Sequence, residues 1–149
     1  MITNVDIVTI FNGRADTRER RRKYIPTVIR GVSYVESKGS TVADNGVWSP
    51  DVQYKIRVPL SAEMQEHRAY VPWLRYAGLD DEGAAGCWTI GKEDLMVLGE
   101  YAGASLVLHE DEVRAYAKAQ GLDVIRITEY ADNTAGGSMH TRHWRIGGK

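Results

Sequence analysis

A strictly alternating segment near the middle of the chain carries the clearest structural signal. Apolar residues occupy every second position from Val52 to Leu60, and polar residues or proline occupy the positions between them. A period of two places successive side chains on opposite faces of a strand, whereas a helix would scatter the apolar residues around its circumference. The segment is therefore predicted to be a β-strand with one buried and one solvated face.

Further stretches rich in β-branched and aromatic residues also predict strands. The first, Val5 to Phe11, stops at the turn dipeptide Asn12-Gly13. In the second, Tyr24 to Val35, Pro26 favours an edge or a bulge near the start. Short strands are predicted at Cys87–Ile90 and Asp94–Leu98, and a C-terminal hairpin at Leu122–Tyr130 and Met139–Ile146.

Helical spacing is clearest in Glu110–Gln120, where Val113, Tyr116 and Ala117 recur at helical intervals. Acidic residues crowd its first turn, and Gly121 is placed to end the helix. A shorter helix is predicted at Val71–Tyr76. The remaining segments are rich in charged or turn-forming residues and are predicted to be loops: Arg14–Lys23, Ser37–Pro50, Asp80–Gly86 and Asp132–Ser138.

Together these elements predict a mainly β protein forming a single domain over residues 1–149. A small β-barrel or sandwich, with one or two short helices and long loops, is the natural way to bury such strands. Apolar residues make up 43% of the 149 residues, which suits a folded domain of this size.

Charge and cysteine content narrow the classes of protein. A net charge of -1 gives no global attraction to nucleic acid or to an anionic membrane. The single cysteine, Cys87, cannot form an internal disulfide, which favours a reducing cytoplasm. The N-terminal residues lack a basic region and a long apolar core, and no apolar run approaches the roughly 20 residues of a membrane span. No signal peptide and no membrane partner are therefore expected.

Candidate chemistry is sparse, and we predict no catalytic, cofactor or metal residues. His140 and His143 lie three apart in a predicted strand, so their side chains should face opposite ways. The cluster Asp80-Asp81-Glu82 could hold a cation, but a solvated turn explains it better, because adjacent carboxylates seldom converge. A metal-dependent enzyme that brings His67, His140, His143 and this cluster together remains an alternative.

A basic run and several tryptophans are the candidate contact residues. Arg18, Arg20, Arg21, Arg22 and Lys23 could neutralise phosphates, bridge to acids on a neighbouring subunit, or form only a wet loop. No aromatic residues interleave the run, so an autonomous DNA-binding module is a distant alternative. Tryptophans in predicted loops are typical of interfaces, but they could equally plug the ends of a small barrel: Trp48, Trp73 and Trp88, with Trp144 in the last strand.

Several short motifs resemble a family of small proteins from tailed phages and prophages of Gram-positive hosts, a domain of unknown function. The matching residues are Thr3–Ile7, Thr27–Val32, Tyr54–Pro59, Ile127-Thr128 and, most distinctively, Arg142–Lys149. The order of strand, long loop, strand ending in proline, short strand with a polar turn, and final hairpin also resembles head-closure (stopper) proteins of the head–tail connector.

This resemblance implies a structural role and not an enzymatic one. Head-closure proteins form a homo-oligomeric ring between the portal and adaptor proteins and the tail proteins, so each subunit needs two different complementary faces. The resemblance thus implies assembly in the host cytoplasm and a place in the virion neck, with packaged DNA as a further contact. The residues expected to make assembly contacts are Arg18, Arg20, Arg21, Arg22, Trp48, His143 and Trp144. A tail-completion or minor tail protein is the alternative within the same class.

Overall fold

The strands of the structure, a computed structural model, outnumber its helices three to one in the part of the chain described. That part comprises residues 6–42, 46, 48–135, 137 and 141–149, with side chains described except at 37–42 and 48–51. The strands are β1 Asp6–Asp16, β2 Arg21–Val42, β3 Trp48–Pro59, β4 Glu63–Met64, β5 Ala69–Tyr70, β6 Cys87–Trp88, β7 Leu95–Val97, β8 Val124–Asn133 and β9 His143–Gly148. The helices are α1 Trp73–Ala77, α2 Asp81–Ala85 and α3 Glu110–Gln120, and Gln65–His67 forms a 3₁₀ turn.

The main sheet closes on itself through antiparallel pairings. Its strand order is β1-β7-β8-β9-β3-β2-β4, and β1 also pairs with β2. Six strands therefore form a ring of pairings, to which β4 adds at Ile29 and Arg30 of β2. Strands β5 and β6 form a separate parallel pair. The prediction of a mainly β fold is confirmed.

Alternating side chains from every strand of the ring form the largest core cluster. In β3, Ile56 and Val58 are buried while Lys55, on the opposite face of the strand, is exposed, as the period of two predicts. The other members come from the other five ring strands, from β6 and from the residues that follow β6 and β7: Val8, Ile10, Ile29, Val32, Trp88, Ile90, Met96, Leu98, Ile125, Ile127, Trp144 and Ile146.

The first strand does not end at Asn12-Gly13, so the prediction of a turn there is wrong. Strand β1 continues to Asp16, which pairs with Arg21, and the predicted loop Arg14–Lys23 is mostly a hairpin. Asn12 stays in the strand because its buried amide donates to the Thr89 carbonyl at 2.6 Å and accepts from the Thr89 backbone N at 3.2 Å. These long-range hydrogen bonds satisfy the polar side chain that a turn would have exposed.

The predicted loop Ser37–Pro50 is also largely strand. Strand β2 runs to Val42 and pairs with β3 from Trp48 onward. Pro50 is accommodated because β3 meets its second neighbour, β9, only from Tyr54. A proline is tolerated in a strand where a backbone donor is not needed on the outer edge. The other predicted connection, Asp132–Ser138, is shorter at its start because β8 continues to Asn133.

The helices differ from the prediction in one place. Helix α3 matches Glu110–Gln120, and α1 overlaps the predicted short helix. The predicted loop Asp80–Gly86 instead contains α2, because the Asp80 carboxylate accepts a hydrogen bond from the Gly83 backbone N at 2.7 Å and caps the first turn. The acidic cluster therefore begins a helix.

Candidate assembly surface

The turn of the β1–β2 hairpin presents two free arginines. The Asp16 carboxylate accepts hydrogen bonds from the backbone N of Arg18 at 3.0 Å and of Glu19 at 3.3 Å, which fixes the turn. Arg20 takes a positive φ of 54°, which lets the chain reverse. Arg18 and Arg20 are exposed, and neither guanidinium has a partner among the residues that the structure describes. The hairpin tip therefore offers two cationic groups to a partner.

The rest of the basic run is engaged within the protein. Arg21 lies 3.5 Å from the Asp111 carboxylate of α3, and Lys23 donates to Asp81 of α2 at 2.6 Å. The hydrogen bond from Lys23, together with Arg14, lowers the pKa of Asp81. These pairs attach both helices to the hairpin. The five basic residues predicted to act as one patch thus divide into a free tip and a paired base.

Arg22 faces a buried carboxylate that sequence reasoning missed. One oxygen of Asp94 accepts from the Gly13 backbone N at 3.0 Å and lies 3.2 Å from Arg22, and the other accepts from Asn12 at 3.1 Å and Gly91 N at 3.1 Å. Burial raises the pKa of Asp94 to about 6, although these donors and the Arg22 charge oppose the rise. The only feature of the local sequence that pointed to Asp94 was its position next to the turn that begins at Gly91.

His109 joins the hairpin to the start of α3. Its Nε2 lies 3.3 Å from Asp16, and its Nδ1 lies 3.1 Å from Glu112. The Glu112 carboxylate also accepts from the His109 backbone N at 3.0 Å, which caps the helix. The last residue of β1, next to the turn, is therefore held against the start of α3.

The tryptophans divide between core and surface. Trp88 and Trp144 are buried and lie with Tyr70 in a cluster whose ring centroids are 5.0 Å apart. Of the two roles left open for Trp88, an interface residue and a plug for the end of a small barrel, its burial agrees with the second, because the indole packs inside the ring of strands. Trp144, an expected assembly contact, is likewise a core residue. Trp73 is 40% exposed on α1, and Trp48 lies in β3 opposite Val42, with its side chain outside the described residues.

The histidines do not form a metal site in the described part of the chain. His143 is half-buried in β9, with Nδ1 2.7 Å from the Thr141 carbonyl, and His140 lies outside the described residues. Within residues 6–42, 46, 48–135, 137 and 141–149, no group of three or more His, Cys, Asp or Glu side chains could hold a metal ion. His67 is exposed in the 3₁₀ turn.

Strands β2 and β3 continue beyond the ring as a two-stranded ribbon, which we define as Ser37–Val42 paired with Trp48–Gln53. Pairing of β2 with β1 ends at Val32, and pairing of β3 with β9 begins at Tyr54. The ribbon therefore has no third strand in the described structure, over a length of roughly 17 Å at 3.3 Å per residue.

The fold and these contacts define a mainly β protein with a closed ring of strands, a basic hairpin tip and a ribbon. The model of a family described as "Family of unknown function (DUF6751)" matches residues 2–149, so the chain belongs to that family. Neither a curated protein nor a solved structure matches the chain. None of the described helices is long and apolar enough to cross a membrane.

Proposed function

We propose that this protein is a structural component of the head–tail connector of a tailed phage, forming a head-closure ring between the portal and adaptor and the tail. The observation that carries the proposal is the ribbon beyond the closed ring of strands. A two-stranded ribbon is marginally stable alone in water, so contact with a partner is the natural way to stabilise it. The motif resemblance over most of the chain supports the same role.

The fold also supplies the rigidity that such a part needs. Asp94, His109 and Lys23 fasten the β1–β2 hairpin to β7, α3 and α2 respectively. A hairpin held at its base presents its tip in a defined direction, as an assembly contact requires. In this proposal the protein is made in the host cytoplasm, resides in the virion neck and has no enzymatic activity.

Reconstitution tests where in the phage particle the protein is located. Purified protein should bind portal–adaptor complexes and should fail to bind isolated tail tubes. Binding to tail tubes alone would indicate a tail-completion protein instead of a head-closure protein. Binding to neither, with the protein absent from purified virions, would overturn the structural proposal.

Shortening the ribbon tests the observation that carries the proposal. A variant in which 38–52 is replaced by an Asn-Gly turn keeps the Ser33–Ser37 pairing with Gln53–Arg57 and should remain folded. We expect it to lose binding to portal–adaptor complexes at least tenfold. The matched control replaces only the connection 43–47 by the same turn. Equal binding by both variants would show that the ribbon does not contact the portal–adaptor complex.

The hairpin tip is proposed to contact the adaptor or the packaged DNA. The variant Arg18→Ser with Arg20→Asn removes the two free charges, and asparagine tolerates the positive φ at position 20. Arg22 is left in place because its loss would strip Asp94 of its counter-charge. We expect at least a fivefold loss of filled, infectious particles. The charge-matched control, Lys92→Ser with Lys118→Ser, should leave the yield unchanged, and equal yields would exclude the tip.

A further inference from the structure

One side of the protein carries an apolar groove that none of the described residues fills. It has a volume of about 350 Å³ and lies between β2, the 3₁₀ turn, the end of α2 and the segment 101–107. Its apolar wall includes Ile25, Pro26, Leu106 and Val107. Leu106 is 75% exposed and Val107 is 47% exposed, although both side chains are large and apolar. Adjacent exposed apolar residues beside a groove are typical of a contact surface.

The segment that carries these residues is fixed in place. The Tyr101 hydroxyl donates to the Ser105 carbonyl at 2.9 Å, and the Ala102 backbone N donates to the Tyr116 hydroxyl at 3.0 Å. At the other end, Leu108 exchanges two backbone hydrogen bonds with Tyr24. Because both ends are anchored, the backbone of this segment holds Leu106 at the surface beside the groove.

A second apolar feature lies on α1, which presents Trp73 and Leu74 to solvent. Leu74 is 79% exposed, the highest value among the large apolar side chains of the described residues. The next residue, Arg75, is exposed, and its guanidinium has no partner in the part of the chain that the structure describes. Helix α1 is thus a small apolar knob with an adjacent free positive charge.

The groove and the knob complement each other in charge as well as polarity. The rim of the groove carries Glu66 and Asp81, whose side chains are 71% and 66% exposed. Arg75 beside Leu74 supplies the opposite charge. Both acids form ion pairs within the chain, Asp81 with Lys23 and Arg14 and Glu66 with Arg68. Because these basic side chains are at most 16% exposed, the acid is the solvent-facing member of each pair and can accept a further hydrogen bond.

We infer that two copies of this chain associate head to tail, with Leu74 and Trp73 on α1 of one copy inserted into the groove lined by Leu106 and Val107 of the next. The two patches are different surfaces, so each copy retains a free groove and a free knob. Such heterologous contacts produce closed rings or open filaments. The inference deepens the proposed head-closure role by naming how neighbouring subunits meet.

Complementary block variants test this contact. Leu74→Asp removes the knob and Leu106→Asp removes the groove wall, and both sites are exposed enough for each variant to fold. In sedimentation experiments up to about 1 mM, which detect millimolar affinity, the wild-type protein should form oligomers larger than dimers. Each variant alone should remain monomeric. An equimolar mixture should stop at dimers, because it has one intact knob and one intact groove per pair.

The control for nonspecific charge effects is Lys118→Asp, on the exposed face of α3, which should associate like the wild-type protein. Three results would overturn the inference: wild-type protein monomeric at every concentration, either block variant still forming oligomers, or a mixture of the two that stays monomeric. A ring found in the virion neck without this contact would leave the proposed function standing. Head-to-tail oligomers of a protein that is absent from the virion neck would support this contact and overturn the proposed function.

Discussion

Asp94 is a buried acid held by donors from three directions. Its carboxylate is 1% exposed and accepts hydrogen bonds from Gly13, Asn12 and Gly91, with Arg22 at its outer side. Removal from water disfavours the charged form, and the pKa of Asp94 is raised from 3.8 to about 6. A carboxyl whose pKa is higher in the folded than in the unfolded state stabilises the fold when protonated. That contribution is present below about pH 4 and is lost as the pH rises through 6.

Replacing this acid should therefore change how stability depends on pH. Asp94→Asn cannot titrate, and it places an amide donor near the donors Asn12 and Gly91, so it is destabilising at every pH. Its deficit in free energy of unfolding relative to wild type should shrink by up to about 3 kcal/mol between pH 4 and pH 7. Urea unfolding at several pH values measures this difference. A difference between the two proteins that stays constant from pH 4 to pH 7 would refute the coupling.

The tryptophans give a matched pair for the packing argument. Trp88→Ala removes a 1% exposed ring from the cluster with Tyr70 and Trp144 and should lower the free energy of unfolding by about 3–5 kcal/mol. Trp73→Ala, at a 40% exposed ring, should lower it by about 1 kcal/mol. Chemical denaturation of both variants measures the ratio. Similar losses would mean that exposure does not separate the two sites.

These residues show what local sequence patterns reveal about the site. The exposure of Arg18 and Arg20 was predictable, because a run of arginines in a turn-like segment favours exposure. The partners of the rest of the run were not: Asp94 lies 72 residues from Arg22, and their contact depends on the pairing of β1 with β2 and β7. Burial of Trp88 likewise follows from closure of the ring of strands, which no local pattern contains.

At the scale of elements, α3 is a helix whose two ends are determined by residues close to them in the sequence. The acids of its first turn and the glycine after its last turn predicted both bounds correctly. Gly121 takes a φ of 68° and its backbone N donates to the Lys118 carbonyl. A left-handed residue that ends a helix is most easily glycine, because a Cβ is strained there.

Two of the three helix-ending glycines, Gly121 and Gly78, should therefore respond differently to alanine. Gly121→Ala meets no atom within 4 Å but must adopt the left-handed conformation, so we expect a loss of about 1 kcal/mol in the free energy of unfolding. Gly78, at the end of α1, has a φ of -87° and room for a methyl group. Gly78→Ala should leave stability unchanged or raise it by about 0.5 kcal/mol. Equal losses in denaturation experiments would contradict the assignment.

Other elements were predicted only in part, for identifiable reasons. The alternation of β3 and the composition of β2 and β8 predicted strands because one face of each is buried. The extension of β1 past Asn12 and of β2 past Ser37 was missed because turn-forming residues outweighed the strand signal there. In both places backbone pairing, and for Asn12 a buried hydrogen bond, stabilises a conformation that side-chain preference disfavours.

At the scale of the whole molecule, strand β2 contributes to all three clusters of buried side chains and strand β1 to two of them. Strand β1 supplies Val8 and Ile10 to the cluster inside the ring and Phe11 to the cluster under α3. Strand β2 supplies Ile29 to the first cluster, Tyr24 to the second and Ile25 to the third. Because neighbouring residues of one strand pack on opposite faces, no cluster can dissolve without removing support from another.

This sharing of strands leads to the prediction that the three clusters unfold together in one cooperative transition. Near-ultraviolet circular dichroism follows the packed aromatic rings, and far-ultraviolet circular dichroism at 222 nm follows α3, so their denaturation curves should coincide. Val113→Ala, which removes two buried methyl groups from the cluster under α3, should shift both curves together by about 2 kcal/mol. A shift of the far-ultraviolet curve alone would mean that α3 unfolds independently and that β1 and β2 do not couple the clusters.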